Sequence, residues 1–229
     1  MNADGVFLLK LKAVLFDLDD TLIDLREASL ITFNKALKSH SLRKISMEEM
    51  IANWCKPWIE VIKSVLPSDK KLDEVLPSIS AEYMRIFMDI HLTYSKIYPE
   101  AYETVSQLHS MGLKIGIVSR RPRVAIEEEL QKFGLNSFVE VIVGSDDTRE
   151  HKPSPSPVIL ATKMLNVLPS ECVLVGDSPE DVKAGERAGV ITISVMTGPC
   201  WKNTIEQKPE IIIGDVSYLI PTFKKLNLL

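Results

Sequence analysis

Two acidic side chains close an apolar run near the N-terminus. Residues Val14–Phe16 predict a buried strand, and Asp17 and Asp19 follow it directly. In an extended chain, residues two positions apart project to the same side, so one carboxylate could attack while its neighbour moves a proton. These residues alone fit an acidic turn at the end of a strand equally well, so the rest of the chain has to decide.

Three further polar side chains follow predicted strands. Ser119 ends the strand Leu113–Val118, and Lys152 lies in the loop after the next strand. Asp177 follows the run Cys172–Val175 and one glycine. A carboxylate nucleophile, a hydroxyl, an ammonium and a second carboxylate suit the transfer of a doubly charged phosphoryl group. The ammonium and a divalent cation would offset the repulsion between nucleophile and phosphate, and oxygen ligands favour Mg2+.

Each of these residues also has a non-catalytic explanation. Ser119 could donate to the turn before Pro122, and Lys152 could be a solvated loop lysine. Ser178 and Asp181 have the spacing of a helix N-cap and its capping box, which explains Asp181 without a metal. Capping does not explain why a buried run ends in a carboxylate, and one acidic helix start can serve both purposes.

The second half of the chain predicts alternating strands and helices. The predicted strands are 113–118, 138–143, 172–175, 190–195 and 211–213, and the predicted helices are 100–111, 123–133, 155–165, 179–188 and 218–226. Connections of this length suit crossover helices and indicate an α/β fold, with a Rossmann-like three-layer core around a mainly parallel sheet. Ligands of such sheets bind outside the carboxyl ends of the strands, where the polar side chains named above stand.

The segment after the first strand predicts helices. Residues 26–94 have no short β-branched run, and an apolar stripe at helical spacing extends from Leu72 to Ile90. Ser46–Glu49 has the form of a capping box that opens another helix. We therefore expect an inserted all-helical domain at residues 23–95, and a catalytic core formed by residues 1–22 and 96–229.

Composition limits the classes of partner and compartment. The 229 residues are 45% hydrophobic and carry a formal net charge of −4, which argues against a binder of nucleic acid or membrane surfaces. Cys55, Cys172 and Cys200 stand in no metal or redox spacing and predict free thiols. The apolar stretch Val6–Leu9 is too short for a signal segment, so we expect a cytoplasmic protein.

Taken in order, these motifs resemble the haloacid dehalogenase superfamily over nearly the whole chain. The likeness is carried by Asp17-Leu18-Asp19-Asp20-Thr21, Val118-Ser119, Lys152-Pro153-Ser154-Pro155 and Gly176-Asp177-Ser178-Pro179-Glu180-Asp181. Each motif is weak by itself, whereas four in order between the expected sheet elements are specific. The last two motifs are similar to those of phosphoglycolate phosphatase-like members, and the resemblance implies that the helical insertion is a cap domain.

The resemblance implies catalytic and phosphate-binding roles. Asp17 would be the nucleophile that forms an aspartyl-phosphate, and Asp19 would protonate the leaving oxygen and then activate water. Thr21 and Ser119 would contact the phosphate, and Lys152 would neutralise the nucleophile and the phosphoryl oxygens.

The resemblance also implies a set of metal ligands. Mg2+ would be bound by Asp17, by the backbone carbonyl of Asp19 and by Asp177, with Asp181 supporting the site directly or through water. Arg120 stands where relatives often carry Asn, and we expect it to face solvent rather than substrate.

The implied function is Mg2+-dependent hydrolysis of a small-molecule phosphate monoester, phosphoglycolate-like or a sugar phosphate. A metal-independent 2-haloacid dehalogenase would use the same nucleophile, but Asp19 argues against it because that reaction needs no acid. A phosphosugar mutase would share every core residue, and a non-catalytic binding module would share the fold. We expect no nucleic-acid or membrane partner, and a monomer or weak homodimer.

Overall fold

The computed structural model describes residues 10–54, 62–63 and 72–229. The chain divides into two compact units, one formed by residues 1–23 and 97–229 and the other by residues 24–96. We call the second of these the helical unit.

The strands of the described chain form one large and one small sheet. In chain order they are β1 (Ala13–Phe16), β2 (Ile23–Asp24), β3 (Lys96–Ile97), β4 (Lys114–Val118), β5 (Val139–Val143), β6 (Cys172–Gly176), β7 (Ile191–Val195) and β8 (Ile211–Ile213). The large sheet has the order β5-β4-β1-β6-β7-β8, and all of its neighbouring strands are parallel. The predicted Rossmann-like α/β fold class is therefore confirmed.

The central strand β1 is buried along its whole length, which is typical of a parallel strand with both faces covered. Phe16 lies level with Ile117 of β4 and with Val175 of β6. Because these three strands are parallel and in register, their carboxyl ends meet at one edge of the sheet. We call this edge, together with the side chains that reach it from neighbouring loops and helices, the carboxyl edge.

Helices connect the strands. In chain order the helices of the described residues are α1 (Arg26–Ser39), α2 (Met47–Asn53), α3 (Leu72–Tyr94), α4 (Ala101–Ser110), α5 (Arg123–Lys132), α6 (Ser156–Met164), α7 (Pro179–Ala188), α8 (Trp201–Ile205) and α9 (Leu219–Lys225). The predicted helices correspond to α4, α5, α6, α7 and α9, with boundaries that differ by no more than one residue. α8, β2 and β3 were not predicted because such short segments show no hydrophobic period.

Local chemistry explains why α7 begins where it does. The Ser178 side chain accepts a hydrogen bond from the N–H of Asp181, and Pro179 occupies the first helical position. The helix ends at Gly189, whose φ of 76° is a left-handed conformation that favours glycine. This start places Asp181 one turn beyond the carboxyl end of β6.

The core of the large unit lies between the sheet and its helices. Leu15 and Leu174 of the sheet, Val158 of α6 and Ala184 of α7 are buried in one cluster. Packing of this kind fixes β1, β6 and α7 relative to one another, and with them the side chains at the carboxyl edge.

The helical unit packs around a core of its own. Phe33 and Leu37 of α1 are buried together with Ile79 and Ile86 of α3. The predicted apolar stripe on α3 supplies part of this core, and the predicted capping box is present at the start of α2.

The cysteine prediction is correct for one residue and wrong for another. Cys172 is a buried free thiol, whereas Cys200 is disulfide-bonded. Disulfide formation depends on spatial proximity, which isolated cysteines in a sequence do not reveal. Cys55 lies outside the described residues. Within the part of the chain that the structure describes, no helix is both long enough and apolar enough to cross a membrane.

Candidate active site

Asp17 and Asp19 stand at the carboxyl end of β1 in different environments. The N–H of Asp17 donates to the carbonyl of Val175 at 2.8 Å, which continues the pairing with β6, and its side chain is buried. The side chain of Asp19 is 37% exposed. Asp20 follows with a φ of 57°, a left-handed conformation that Asp tolerates and that turns the chain. One carboxylate is therefore enclosed and the other is open to solvent.

Lys152 joins three elements at the carboxyl edge. Its Nζ donates to Asp17 Oδ1 at 2.6 Å, to Asp181 Oδ1 at 2.6 Å and to the backbone carbonyl of Val118 at 2.8 Å. An ammonium has three donors, so these contacts use all of them. The side chain is only 4% exposed, which rules out a solvated loop lysine.

Asp177 and Asp181 complete a carboxylate cluster with Asp17. One oxygen of each residue lies within 4.8 Å of the others. The second oxygen of Asp181 accepts from the backbone N–H of Ser178 at 3.1 Å and from its hydroxyl at 2.6 Å. Asp181 therefore caps α7 and anchors Lys152 at the same time.

Two residues that the sequence did not suggest fix the position of Asp177. The hydroxyl of Thr204 in α8 donates to the backbone carbonyl of Asp177 at 2.6 Å. Gly198 approaches the Asp177 carboxylate so closely that a Cβ at this position would collide with it. The segment after β7 therefore packs against the cluster, and only glycine fits at the contact.

Ser119 and Thr21 place buried hydroxyls near the strand ends. The N–H of Ser119 donates to the Val143 carbonyl at 3.0 Å, and its hydroxyl accepts from the N–H of Arg121 at 3.3 Å. Thr21 is fully buried, and its hydroxyl has no hydrogen-bond partner among the described residues. Buried hydroxyls are normally bonded, so Thr21 retains a donor that a ligand oxygen could accept.

Burial and charge crowding shift the ionisation of the cluster. Burial raises the pKa of Asp17 to about 7, with Lys152 opposing the shift and Asp181 and Asp19 adding to it. Burial also raises the pKa of Asp177, and the neighbouring carboxylates of Asp20, Asp17 and Asp181 raise it further. Burial alone would lower the pKa of Lys152, but Asp17 and Asp181 raise it overall, so the ammonium stays charged.

The cluster has the chemistry of a site for a hard cation. Asp17, Asp177 and Asp181 supply only carboxylate oxygens, and one buried ammonium is shared between two of them. Negative charge therefore exceeds positive charge in a buried space, which a divalent cation such as Mg2+ would correct. The residues present fit such an ion.

Two arginines follow Ser119 and form ion pairs of different kinds. Arg120 is exposed and pairs with Glu180 at 2.6 Å, which agrees with the expectation that it faces solvent. Arg121, one position further, is buried and contacts both Asp19 and the fully buried Glu129. Sequence reasoning missed this pair, although Glu129 interrupts the apolar face of α5, and a charged residue on such a face is a signal for a buried partner.

Comparison with known proteins identifies the family. The family model described as haloacid dehalogenase-like hydrolase matches residues 14–195. The chain is 30% identical to pyrophosphatase PpaX of Bacillus anthracis over 223 residues, which cover 96% of this chain and 99% of the relative. It is also 30% identical to pyrophosphatase PpaX of Bacillus cereus over 220 residues, with 96% and 99% covered.

Solved structures agree on the fold. A crystal structure described as a predicted phosphoglycolate phosphatase from Haemophilus somnus superposes with a TM-score of 0.81 at 21% identity, covering 94% of this chain and 99% of that one. A haloacid dehalogenase-like hydrolase from Streptococcus pneumoniae gives a TM-score of 0.80 at 16% identity, covering 93% and 98%. The family match extends from β1 to β7 and includes Asp17, Asp19, Lys152, Asp177 and Asp181, whereas Gly198 and Thr204 lie beyond its end. This chain therefore belongs to the haloacid dehalogenase-like hydrolase family.

Proposed function

We propose that this protein is an Mg2+-dependent phosphatase that hydrolyses a small-molecule phosphate monoester through a covalent aspartyl-phosphate on Asp17. The observation that carries the proposal is the bridge by which Lys152 holds Asp17 and Asp181 beside Asp177. Attack of a carboxylate on a phosphate is opposed by repulsion, and a buried ammonium in contact with the nucleophile offsets that repulsion.

The reaction takes two steps that share one acid–base group. First, an oxygen of Asp17 attacks phosphorus, the bond to the ester oxygen breaks, and Asp19 gives its proton to the departing oxygen. Then Asp19 takes a proton from water, the water oxygen attacks phosphorus, and the bond to Asp17 breaks to release phosphate. The solvent exposure of Asp19 supports this role because the leaving group and the water both need access to it.

The hydroxyls of Thr21 and Ser119 bind the phosphoryl group, and the charge of the Lys152 ammonium attracts it. The buried hydroxyl of Thr21 supports this assignment, since a phosphate oxygen is an acceptor of the kind it lacks among the described residues. The ammonium of Lys152 stays charged, so it stabilises negative charge on both the nucleophile and the phosphoryl oxygens.

Asp17, Asp177 and the backbone carbonyl of Asp19 would hold the metal. When bound, Mg2+ supplies positive charge that neutralises the cluster and the phosphoryl oxygens. Asp181 acts as support, because its oxygens already accept from Lys152 and from Ser178. It keeps Lys152 oriented and leaves direct coordination to Asp17 and Asp177.

Residues 23–95 form a cap domain and residues 1–22 and 96–229 form the catalytic core, and the cap domain selects the leaving group and excludes water. The separate hydrophobic core of the helical unit supports this proposal, since an element with its own core can move as one body. The protein works in the cytoplasm as a monomer or weak homodimer.

The substrate is a small phosphate ester or a phosphoanhydride. Relatives at 30% identity are named pyrophosphatases, which favours pyrophosphate, and the motif resemblance favours phosphoglycolate or a sugar phosphate. All of these share a terminal phosphoryl group, so the site chemistry proposed here applies to each.

A panel of phosphate compounds tests the proposal. The full chain, assayed with Mg2+, should release phosphate from p-nitrophenyl phosphate and rank pyrophosphate, phosphoglycolate and sugar phosphates by kcat/KM. EDTA should abolish the activity, and added Mg2+ should restore it. In Asp19→Asn the second step should stall, so that phosphorylated protein accumulates.

Three outcomes would contradict the proposal. Metal-independent halide release from a 2-haloacid would identify a dehalogenase, and isomerised sugar phosphate without free phosphate would identify a mutase. Absence of turnover on the whole panel would favour a binding module.

A further inference from the structure

A buried ion pair lies behind Asp19. Arg121 Nη1 lies 3.3 Å from Asp19 Oδ1, and the same guanidinium donates to Glu129 Oε2 at 2.5 Å and to Oε1 at 3.2 Å. The Arg121 side chain is 7% exposed, and Glu129 is fully buried. The Arg121 guanidinium therefore connects the fully buried Glu129 to Asp19, the most exposed carboxylate of the site.

Stability does not explain this pair. Glu129 lies on the apolar face of α5, among Ala125, Ile126 and Leu130. Removing two charges from water costs about as much as their attraction returns, and apolar replacements of similar size are often neutral or stabilising. A buried pair at this position calls for a role other than packing.

The backbone of Arg121 is also fixed on both sides. Its N–H donates to the hydroxyl of Ser119 at 3.3 Å, and its carbonyl accepts from the N–H of Ser145 at 2.8 Å. The main-chain hydrogen bonds therefore fix the backbone of Arg121, and Glu129 fixes the position of its guanidinium. The group that reaches Asp19 has little freedom to move.

We propose that Arg121 is a positioning residue that holds the carboxyl group of Asp19 toward the leaving oxygen, with Glu129 as the anchor that fixes the guanidinium. An exposed carboxylate on a short side chain would otherwise exchange between rotamers. Proton transfer needs the donor within hydrogen-bond reach of the departing oxygen, so orientation of Asp19 sets the rate of leaving-group departure. The inference rests on the proposed function, in which Asp19 is the acid.

The dependence of rate on the leaving group distinguishes this role from a structural one. An alkoxide leaves poorly without a proton, whereas p-nitrophenolate leaves readily without one. The value of kcat/KM reports the steps up to loss of the leaving group, so the ratio of kcat/KM between glycerol phosphate and p-nitrophenyl phosphate isolates the contribution of Asp19. Any loss of folded protein affects both esters equally and cancels in the ratio.

The test uses the variant Arg121→Met and the double variant Arg121→Met/Glu129→Met. The double variant leaves no unpaired buried charge, so it remains folded if the single variant does not. In both, kcat/KM for glycerol phosphate should fall about 100-fold, and that for p-nitrophenyl phosphate by less than about tenfold. Arg121→Lys keeps the charge but not the two-pronged contact, and should recover part of the ratio.

Arg123→Met is the matched control. Arg123 begins α5 and pairs with Asp147 at 2.9 Å, and the structure gives it no contact with Asp19. Its substitution should leave the ratio unchanged. Equal losses for both esters in the Arg121 variants would overturn the inference while the proposed function stands. Failure of the unmodified protein to hydrolyse these esters and every compound of the phosphate panel would overturn the proposed function itself.

Discussion

The carboxyl edge of the sheet buries its cationic side chains, whereas the helical unit exposes them. Lys152 and Arg121 at the carboxyl edge are 4% and 7% exposed, and each contacts two carboxylates. Arg43 and Arg85 in the helical unit are 52% and 62% exposed and form surface pairs. Burying a charge costs free energy of folding, whereas exposed ion pairs change that free energy little. The contrast favours the carboxyl edge as the functional site before any reaction is considered.

The pKa values of the acidic side chains differ between the two regions in the same way. Burial raises the pKa of Asp17 and Asp177, so the folded chain opposes the charged form of its own cluster. In the helical unit, hydrogen bonds from Arg85 lower the pKa of Glu82, so the fold there favours the charged form. Natural proteins accept such local conflict mainly at functional sites. Paired substitutions, one in each region, test whether the contrast has this meaning.

The largest expected effect comes from the nucleophile. Asp17→Asn removes the attacking oxygen anion but keeps an acceptor for Lys152, so phosphatase activity should fall by about 10⁴-fold or more while the fold persists. The matched change Glu82→Gln, at a half-buried side chain of α3 that pairs with Arg85, should leave activity unaltered. Steady-state kinetics with circular dichroism as a folding check decides the matter. Substantial activity in purified Asp17→Asn would remove the basis of the two-step mechanism.

The second effect concerns stability. Lys152→Met leaves two buried carboxylates without their partner, which should lower the free energy of unfolding by about 3–5 kcal/mol near neutral pH. Arg43→Met breaks an exposed pair with Glu49 in the helical unit and should leave the melting temperature unchanged. Thermal melts of both variants beside the parent protein measure the difference. Equal losses would mean that burial of Lys152 has no special cost.

A smaller effect should appear as a function of pH. The folded chain raises the pKa of Asp17 from 3.8 to about 7, so between these values the folded state holds a proton that the unfolded state has lost. Stability of the metal-free protein should therefore fall as pH rises from about 4 to 7 and then level off. The lowered pKa values of Asp24 and Glu82 affect stability only below about pH 4.5.

Melting curves in EDTA at pH 5 and pH 8 check this dependence, and curves with saturating Mg2+ provide the control. The cation should stabilise the protein more at pH 8 than at pH 5, because it competes with the proton for the same carboxylates. A metal-free protein that is more stable at pH 8 than at pH 5 would contradict the raised pKa of Asp17.

Most residues of the carboxyl edge could be predicted from the sequence because the carboxyl ends of neighbouring parallel strands lie at one edge of the sheet. Each strand is a short apolar run, and the polar residue that ends it, such as Asp17, Ser119 or Asp177, must lie at the same edge as the others. Lys152 follows no such rule, since it lies in a loop without a period. Its charge and its place in the loop after β5 made it a candidate, and the family resemblance supported the same role.

Residues that depend on distant contacts could not be predicted in this way. Glu129 belongs to a run of three glutamates, and only the phase of α5 shows which of them faces the core. Gly198 lies in the irregular segment after β7 and Thr204 lies in the short helix α8, and the approach of both to Asp177 depends on how β7 and α8 pack. The sequence identifies the reactive side chains, whereas packing determines which other side chains position them.

The smallest expected effect comes from removing one methyl group from a core isoleucine in each region. Ile79 of α3 and Ile117 of β4 are fully buried, so Ile79→Val and Ile117→Val should each lower the free energy of unfolding by about 0.5–1.5 kcal/mol. Ile117 precedes Val118, whose carbonyl holds Lys152, so Ile117→Val should also reduce kcat by up to about tenfold, whereas Ile79→Val should not. Urea unfolding and kcat on p-nitrophenyl phosphate measure both quantities. If Ile79→Val reduced kcat as much as Ile117→Val, the rate would depend on the core of the helical unit as closely as on the carboxyl edge, and the division of roles between the two regions would not hold.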